Sequence, residues 1–85
     1  MGGKQWVVYI LECNDGSLYT GITDDLSQRV ATHNAGKGAK YTRGRGPLIL
    51  RYRETCEDKS SALKREHAIK RLRREEKLAL CKMYK

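Results

Sequence analysis

Phenylalanine is absent from this 85-residue sequence, and tryptophan occurs once. Aromatic bulk therefore falls to five tyrosines, each with a hydroxyl that needs a partner wherever it is buried. A chain this short is expected to form one domain over residues 1–85, burying only about 60% of the surface that its unfolded form exposes. Polar groups set against so thin a core call for a reason. Cysteine is scarce as well. Cys13, Cys56 and Cys81 are odd in number and far apart, which argues against a disulfide framework and lacks the CxxC-type pairs of a zinc site. Reduced thiols in a cytoplasmic protein are the expectation. No apolar run approaches the roughly 18 residues of a membrane span. Met1-Gly2-Gly3-Lys4 leads into a strand-like segment without a signal-peptide core.

Acid is the next absence. Between Leu26 and Arg53 there is no Asp or Glu, while Arg29, Lys37, Lys40, Arg43, Arg45, Arg51 and Arg53 all fall in that interval. The whole chain carries a net charge of +8. A block of one sign running through helix, loop and strand sets up a positive potential that attracts a polyanion. An anionic membrane surface is disfavoured as the partner, because no helix opposes a basic face to a bulky aromatic one.

What is present reads as a short series of elements. WVVYILEC (Trp6–Cys13) is rich in β-branched and aromatic residues, and its near-continuous apolarity predicts a central strand. Asn14-Asp15-Gly16 is turn chemistry, and SLYTGI (Ser17–Ile22) is the returning strand of a hairpin. Thr23, Asp24 or Asp25 can cap a helix that begins near Leu26, with Leu26, Val30 and His33 on one face and Gly36 as a stop. Gly36–Pro47 is glycine-rich and cationic, hence a loop. LILRYRET (Leu48–Thr55) predicts a third strand, with Tyr52 on one face and Arg51 and Arg53 on the other. Asp58 can cap a helix from Lys59 whose apolar stripe is Ala62, Leu63, Ile69 and Leu72. Glu66 falls within or beside that stripe. Arg73–Tyr84 continues as a further turn or helix, with Leu78, Cys81 and Met83 as contacts. The order β-β-α-β-α-α predicts an α+β fold, a small three-stranded antiparallel sheet flanked by helices.

Tyr9, Tyr19, Arg29, His33 and Glu66 are the polar residues in apolar or strand-like settings. Tyr9 and Tyr19 can meet across the hairpin. Arg29 and His33 are one helical turn apart and can address one substrate together. Taken singly each has an ordinary reading: a core tyrosine with a wet hydroxyl, surface decoration, or an acid paired with Lys70. Taken in order, they make the sequence resemble the GIY-YIG nuclease domain, in particular its small stand-alone bacterial members. Val7-Val8-Tyr9 stands for the GIY element and Tyr19-Thr20-Gly21 for YIG. The family's helix arginine falls on Arg29, the His or Tyr one turn later on His33, and the metal-binding glutamate on Glu66. The GKGAKYTRGRGPL stretch is similar to the loop of the stand-alone group. Val7 replaces the family's first glycine, Ile22 stands where some repair members have Lys, and no Asn follows Glu66.

The resemblance implies a divalent-metal-dependent endonuclease that hydrolyses phosphodiesters in DNA, with a place in repair or recombination. It implies Mg²⁺ or Mn²⁺ as cofactor, bound weakly before substrate, with Glu66 as protein ligand; a hard ion of this kind needs only one or two carboxylates plus phosphate. Arg29 offers a fork of donors to a phosphate. Tyr19, supported by Tyr9, is the favoured group to orient or deprotonate the water, with His33 as rival base because its ordinary pKa lies near ~6.5. Lys37, Lys40, Arg43, Arg45 and Lys70 are the candidate nucleic-acid contacts. If about six cations touch phosphates, the log–log salt slope on duplex is near −5. No base-reading helix is evident, which predicts weak sequence preference and a taste for branched or damaged DNA. No small-molecule cofactor is expected, and the sequence does not reveal the oligomeric state. Two other readings compete: a module of the same fold that binds nucleic acid with little or no catalysis, and a protein-interaction domain whose positive face meets an acidic partner.

Overall fold

The computed structural model describes residues 5–83; Met1–Lys4 and Tyr84–Lys85 lie outside the described residues. Three strands, β1 (Trp6–Glu12), β2 (Leu18–Thr23) and β3 (Ile49–Cys56), form an antiparallel sheet in the order β2-β1-β3. The helices are α1 (Leu26–Asn34), α2 (Lys59–Lys70) and α3 (Arg74–Met83). The predicted α+β order holds element by element, with boundaries shifted by a residue or so. Gly36–Pro47 is not wholly irregular, since Lys40–Thr42 winds into one 3₁₀ turn.

β1 is central and covered on both sides, which explains why its apolarity hardly alternates. Val8 and Ile10 face α2 and α3, where Ala62 and Ile69 complete a core joined by Leu18, Ile22, Tyr52 and Leu80. Tyr9, Leu11 and Cys13 face the other way, packed with Leu48, Leu26 and Val30 of the α1 side. Each fully buried branched side chain here contributes about 1.5–3 kcal/mol. A β-bulge between Ile10 and Leu11 interrupts the pairing with β3. Asp25 caps α1 through Gln28 N, and Asp58 caps α2 through Ser61 N.

Two predicted stripes need correction. Leu63 is 40% exposed and does not join the core of α2, whose buried residues are Ala62 and Ile69 alone. Leu63 sits about 100° round the helix from Ala62, on the side away from Ile69, Arg65 and Ser61, and this carries it out of the covered face. In α3, Leu80 and Cys81 pack inward, while Met83 is 77% exposed. The chain breaks helical phase between Lys70 and Arg74, so α3 starts a new register that the α2 pattern does not extend.

Candidate active site

Tyr9 and Gly21 are direct partners across the β1–β2 ladder. A Cβ on Gly21 would lie 2.6 Å from the Tyr9 hydroxyl oxygen and 3.0 Å from a ring carbon of Tyr19. Glycine at this position is thus the space that the Tyr9 phenol occupies. The Tyr9 and Tyr19 rings lie 6.3 Å apart.

Behind them runs a directed chain of hydrogen bonds. The Tyr9 hydroxyl is 3.0 Å from His33 Nε2, His33 Nδ1 is 2.9 Å from Thr42 Oγ1, and the Thr42 hydroxyl donates to the Ala39 carbonyl at 2.9 Å. A threonine hydroxyl has one proton, here already given to Ala39, so it accepts from Nδ1–H. The histidine then carries its proton on Nδ1 and a lone pair on Nε2, and Tyr9 donates to that lone pair. Burial pushes the His33 pKa below its ordinary value and the nearby Arg29 charge lowers it further, which keeps the ring in the neutral form this chain requires. A side chain on Gly38 would run into the His33 ring, so the loop closes over the imidazole only because that position is bare.

Charges on three other elements act on the Tyr9 phenol. Burial raises its pKa most; the Tyr19 charge raises it too, Arg29 lowers it, and Glu66 raises it. β1, β2, α1 and α2 therefore bring Tyr9, Tyr19, Arg29 and Glu66 within electrostatic reach of one another. β2 is an edge strand, with Tyr19 on its α1 side and Leu18 and Thr20 on its α2 side. A cleft of about 350 Å³ opens there, lined by Leu18, Tyr19, Thr20, Tyr41, Lys70 and Lys77. The Thr20 hydroxyl is buried with no hydrogen-bond partner among the described residues.

Arg29 is exposed, with no ion-pair partner among the described residues, and it lines a second cavity with Asp24, Asp25 and Gln28. His33 is not on the rim beside it, as helical spacing suggested. It is 2% exposed and lies behind Tyr9, so the two residues one turn apart do not address a substrate together. Glu66 has a side chain only 13% exposed, and Lys70 Nζ lies 3.2 Å from its Oε2. Among the described residues no three His, Cys, Asp or Glu side chains gather to cage a metal. One shielded carboxylate already holding an ammonium is a donor set that suits a hard ion bringing its own waters and taking its other ligands from a phosphate.

Lys37, Lys40 and Arg43 are exposed and form no ion pair among the described residues. Arg45 is committed to the fold: its Nη1 lies 2.6 Å from Asp15 Oδ2, and its guanidinium stands 4.6 Å over the Tyr41 ring. Asn14 donates to the Gly46 carbonyl, and Asn34 exchanges two bonds with the backbone of Leu48. These contacts staple the cationic loop to the hairpin turn and to the end of α1. Sequence reasoning passed over Tyr41, which stacks on Tyr19 at 5.9 Å, and also Thr42 and Lys77. The aromatic at Tyr41 inside a glycine-rich cationic loop was the available signal; no periodicity marks Thr42 or Lys77.

The fold and this constellation define a GIY-YIG domain. The GIY-YIG catalytic domain model matches residues 5–79, and the chain belongs to that nuclease family, whose members generally act on DNA with divalent metals. Within it the chain is similar to UPF0213 proteins. The one from Halobacterium salinarum is 58% identical over 73 residues, covering 86% of this chain and 95% of the relative. That from Desulfotalea psychrophila is 55% identical over 78 residues, covering 91% and 71%. Among solved structures, the solution NMR structure of the UPF0213 protein BH0048 from Bacillus halodurans matches with a TM-score of 0.60 at 47% identity, over 93% of this chain and 84% of that one. The protein EF2693 from E. faecalis matches with a TM-score of 0.65 at 41% identity, over 98% and 90%. No helix among the described residues is long and apolar enough to cross a membrane.

Proposed function

We propose that this protein is a metal-dependent DNA endonuclease whose catalytic cleft lies on the β2 edge. The observation that carries the reading is that Tyr19 and Lys70 line one cleft, with the Tyr9 ring 6.3 Å from that of Tyr19 and the Lys70 ammonium 3.2 Å from the Glu66 carboxylate. Arg29 presents a guanidinium fork to the non-bridging oxygens of the scissile phosphate. Tyr19, lining the cleft, orients the attacking water. Tyr9 stands behind it with its own proton committed to His33, so its oxygen is left as an acceptor. The water oxygen bonds to phosphorus and the bond to the 3′ oxygen breaks; the water's proton goes to the Tyr9 oxygen as that phenol passes its own proton to His33 Nε2, and the departing 3′ oxygen takes a proton from solvent. Glu66 would hold Mg²⁺ or Mn²⁺, which when bound polarises the phosphoryl oxygen and neutralises charge on the departing oxygen. Lys70, released from Glu66, is then available to the phosphate chain, joined by Lys37, Lys40 and Arg43. Repair or recombination of branched or damaged DNA is the setting that this chemistry suits, and a cytoplasmic site of action goes with the reduced thiols.

The Lys70–Glu66 pair also favours a second reading, a nucleic-acid-binding module in which that carboxylate is retained for structure. One set of assays separates the two. Linear, nicked, branched and single-stranded DNA are incubated with Mg²⁺ or Mn²⁺, with Tyr19→Phe and Glu66→Ala run in parallel. The nuclease reading expects cleavage that falls at least ~100-fold in each variant, the scale of a lost acid–base or charge-stabilising group, with circular dichroism unchanged. Binding without metal-dependent turnover in the parent protein supports the module instead, and Glu66→Ala cutting as fast as the parent removes the metal assignment.

A further inference from the structure

The cleft beside Tyr19 continues past the candidate catalytic groups. A second cavity, about 190 Å³, is lined by Ser17, Leu18, Tyr41, Arg74 and Lys77. It shares Leu18, Tyr41 and Lys77 with the first. Together they form one groove between the 36–47 loop and α3, with β2 as its floor. Arg74 closes the far end, its Nη2 reaching to 3.8 Å from where a Cβ on Gly16 would sit.

Among the described residues, the lining of this groove holds Lys70 from α2 and Lys77 and Arg74 from α3, and no carboxylate. That sets it apart from its neighbours. The cavity beside Arg29 is walled by Asp24 and Asp25, and the larger one on the other side of α3 by Glu12 and Glu75. The remaining acid of the first turn of α3, Glu76, accepts from the Arg73 backbone. A phosphate chain leaving Tyr19 is repelled in the direction of Asp24 and attracted in the direction of α3.

We infer that this groove is a binding site for a single strand of nucleic acid, running from the candidate scissile position toward Arg74. The inference rests on the nuclease reading of the adjoining cleft, and it names the substrate feature the protein would grip. Cations spaced beside exposed aromatic surface are the arrangement that holds unpaired nucleotides: phosphates meet the ammonium and guanidinium groups, and bases pack on the apolar wall. Here Leu18, Tyr19 and Tyr41 supply that wall, with Tyr41 44% exposed. Thr20, whose buried hydroxyl has no hydrogen-bond partner among the described residues, lines the end nearest Tyr19.

The test measures binding rather than cleavage. Affinity for labelled oligothymidine and for a blunt duplex is determined without divalent metal for the parent, Arg74→Glu/Lys77→Glu and Lys77→Gln. Lys64→Glu, on the outer surface of α2, serves as a control for charge reversal outside the groove. The groove predicts about a 10-fold or larger loss of single-strand affinity in the double variant, a salt slope shallower by about 0.7 for each phosphate no longer held, and a smaller loss of the same kind in Lys77→Gln. Duplex affinity changes less than about 2-fold, and Lys64→Glu changes neither. Equal losses on duplex and single strand, no loss in the double variant, or a parent that does not bind oligothymidine would each overturn it. Because no turnover enters, an inactive protein that still shows this pattern loses the nuclease reading and keeps the groove. A nuclease indifferent to Arg74 and Lys77 does the reverse.

Discussion

Thr42 illustrates how one hydroxyl can govern a site it does not reach. By giving its proton to Ala39 it obliges His33 to turn Nδ1–H toward it, which leaves Nε2 bare for Tyr9. Thr42→Val removes the acceptor and strands a buried N–H, which is expected to cost about 1–3 kcal/mol in urea denaturation. Thr42→Ser keeps the oxygen and loses one methyl, about 0.8 kcal/mol. Equal stability of the two variants would show that the bond carries no weight. Nitrogen chemical shifts of the His33 ring report the tautomer directly, and Val but not Ser should disturb it. At this scale the sequence was half legible. Tyr9, Tyr19, Arg29 and Glu66 could be picked out because their order along the chain resembles a family. The inward turn of His33 could not, because the residue that causes it lies in a loop with no period to read. Gly21 was legible as part of the YIG element, but not as the space that the Tyr9 phenol fills.

Among the elements, the strands and the helix starts were readable because their causes are local. A capping carboxylate acts on an N–H three residues away, and the apolarity of β1 follows from having a layer on each face. Which side of α2 is buried depends instead on how it lies across the sheet. Ala62 and Ile69 are fully buried, whereas Leu63 is exposed. Ile69→Val is therefore expected to cost about 0.5–1.5 kcal/mol, while Leu63→Ala, the larger truncation, stays within about 0.5 kcal/mol. Urea midpoints for the pair test this, and the opposite ranking would mean that α2 is rotated about its axis. Such a rotation would also carry Glu66 away from the β2 edge, so the stability ranking and the placement of the candidate carboxylate stand or fall together.

For the molecule as a whole, the buried imidazole links stability to pH. His33, surrounded by Tyr9, Tyr19, Thr42 and Arg29, has a folded pKa below its ordinary 6.5. The unfolded chain then binds a proton that the native state refuses. Its contribution is complete above about pH 6.5 and is lost as the pH falls below that value toward the folded pKa. The thermal midpoint should drop between about pH 7 and pH 5, and His33→Gln should flatten that drop in melting curves followed by circular dichroism. A variant with the parent's slope would assign the pH dependence to carboxylates. Sheet order was foreseeable from the apolar run of β1. The lie of α2 across β1 and β2 was not, since it depends on packing against the sheet and leaves no mark in the helix alone. The open edges of the sheet have a consequence for assembly. Strand edges ordinarily recruit other strands, and this sheet has two. β3 carries Arg51 and Arg53, so an antiparallel match with its own copy would crowd like charges. β2 offers its edge to the cleft, so a second chain docked there would occupy the position meant for substrate. Under the proposed function, growth of the sheet by the remaining route would cover the cleft, so self-association at that edge and cutting are expected to exclude one another.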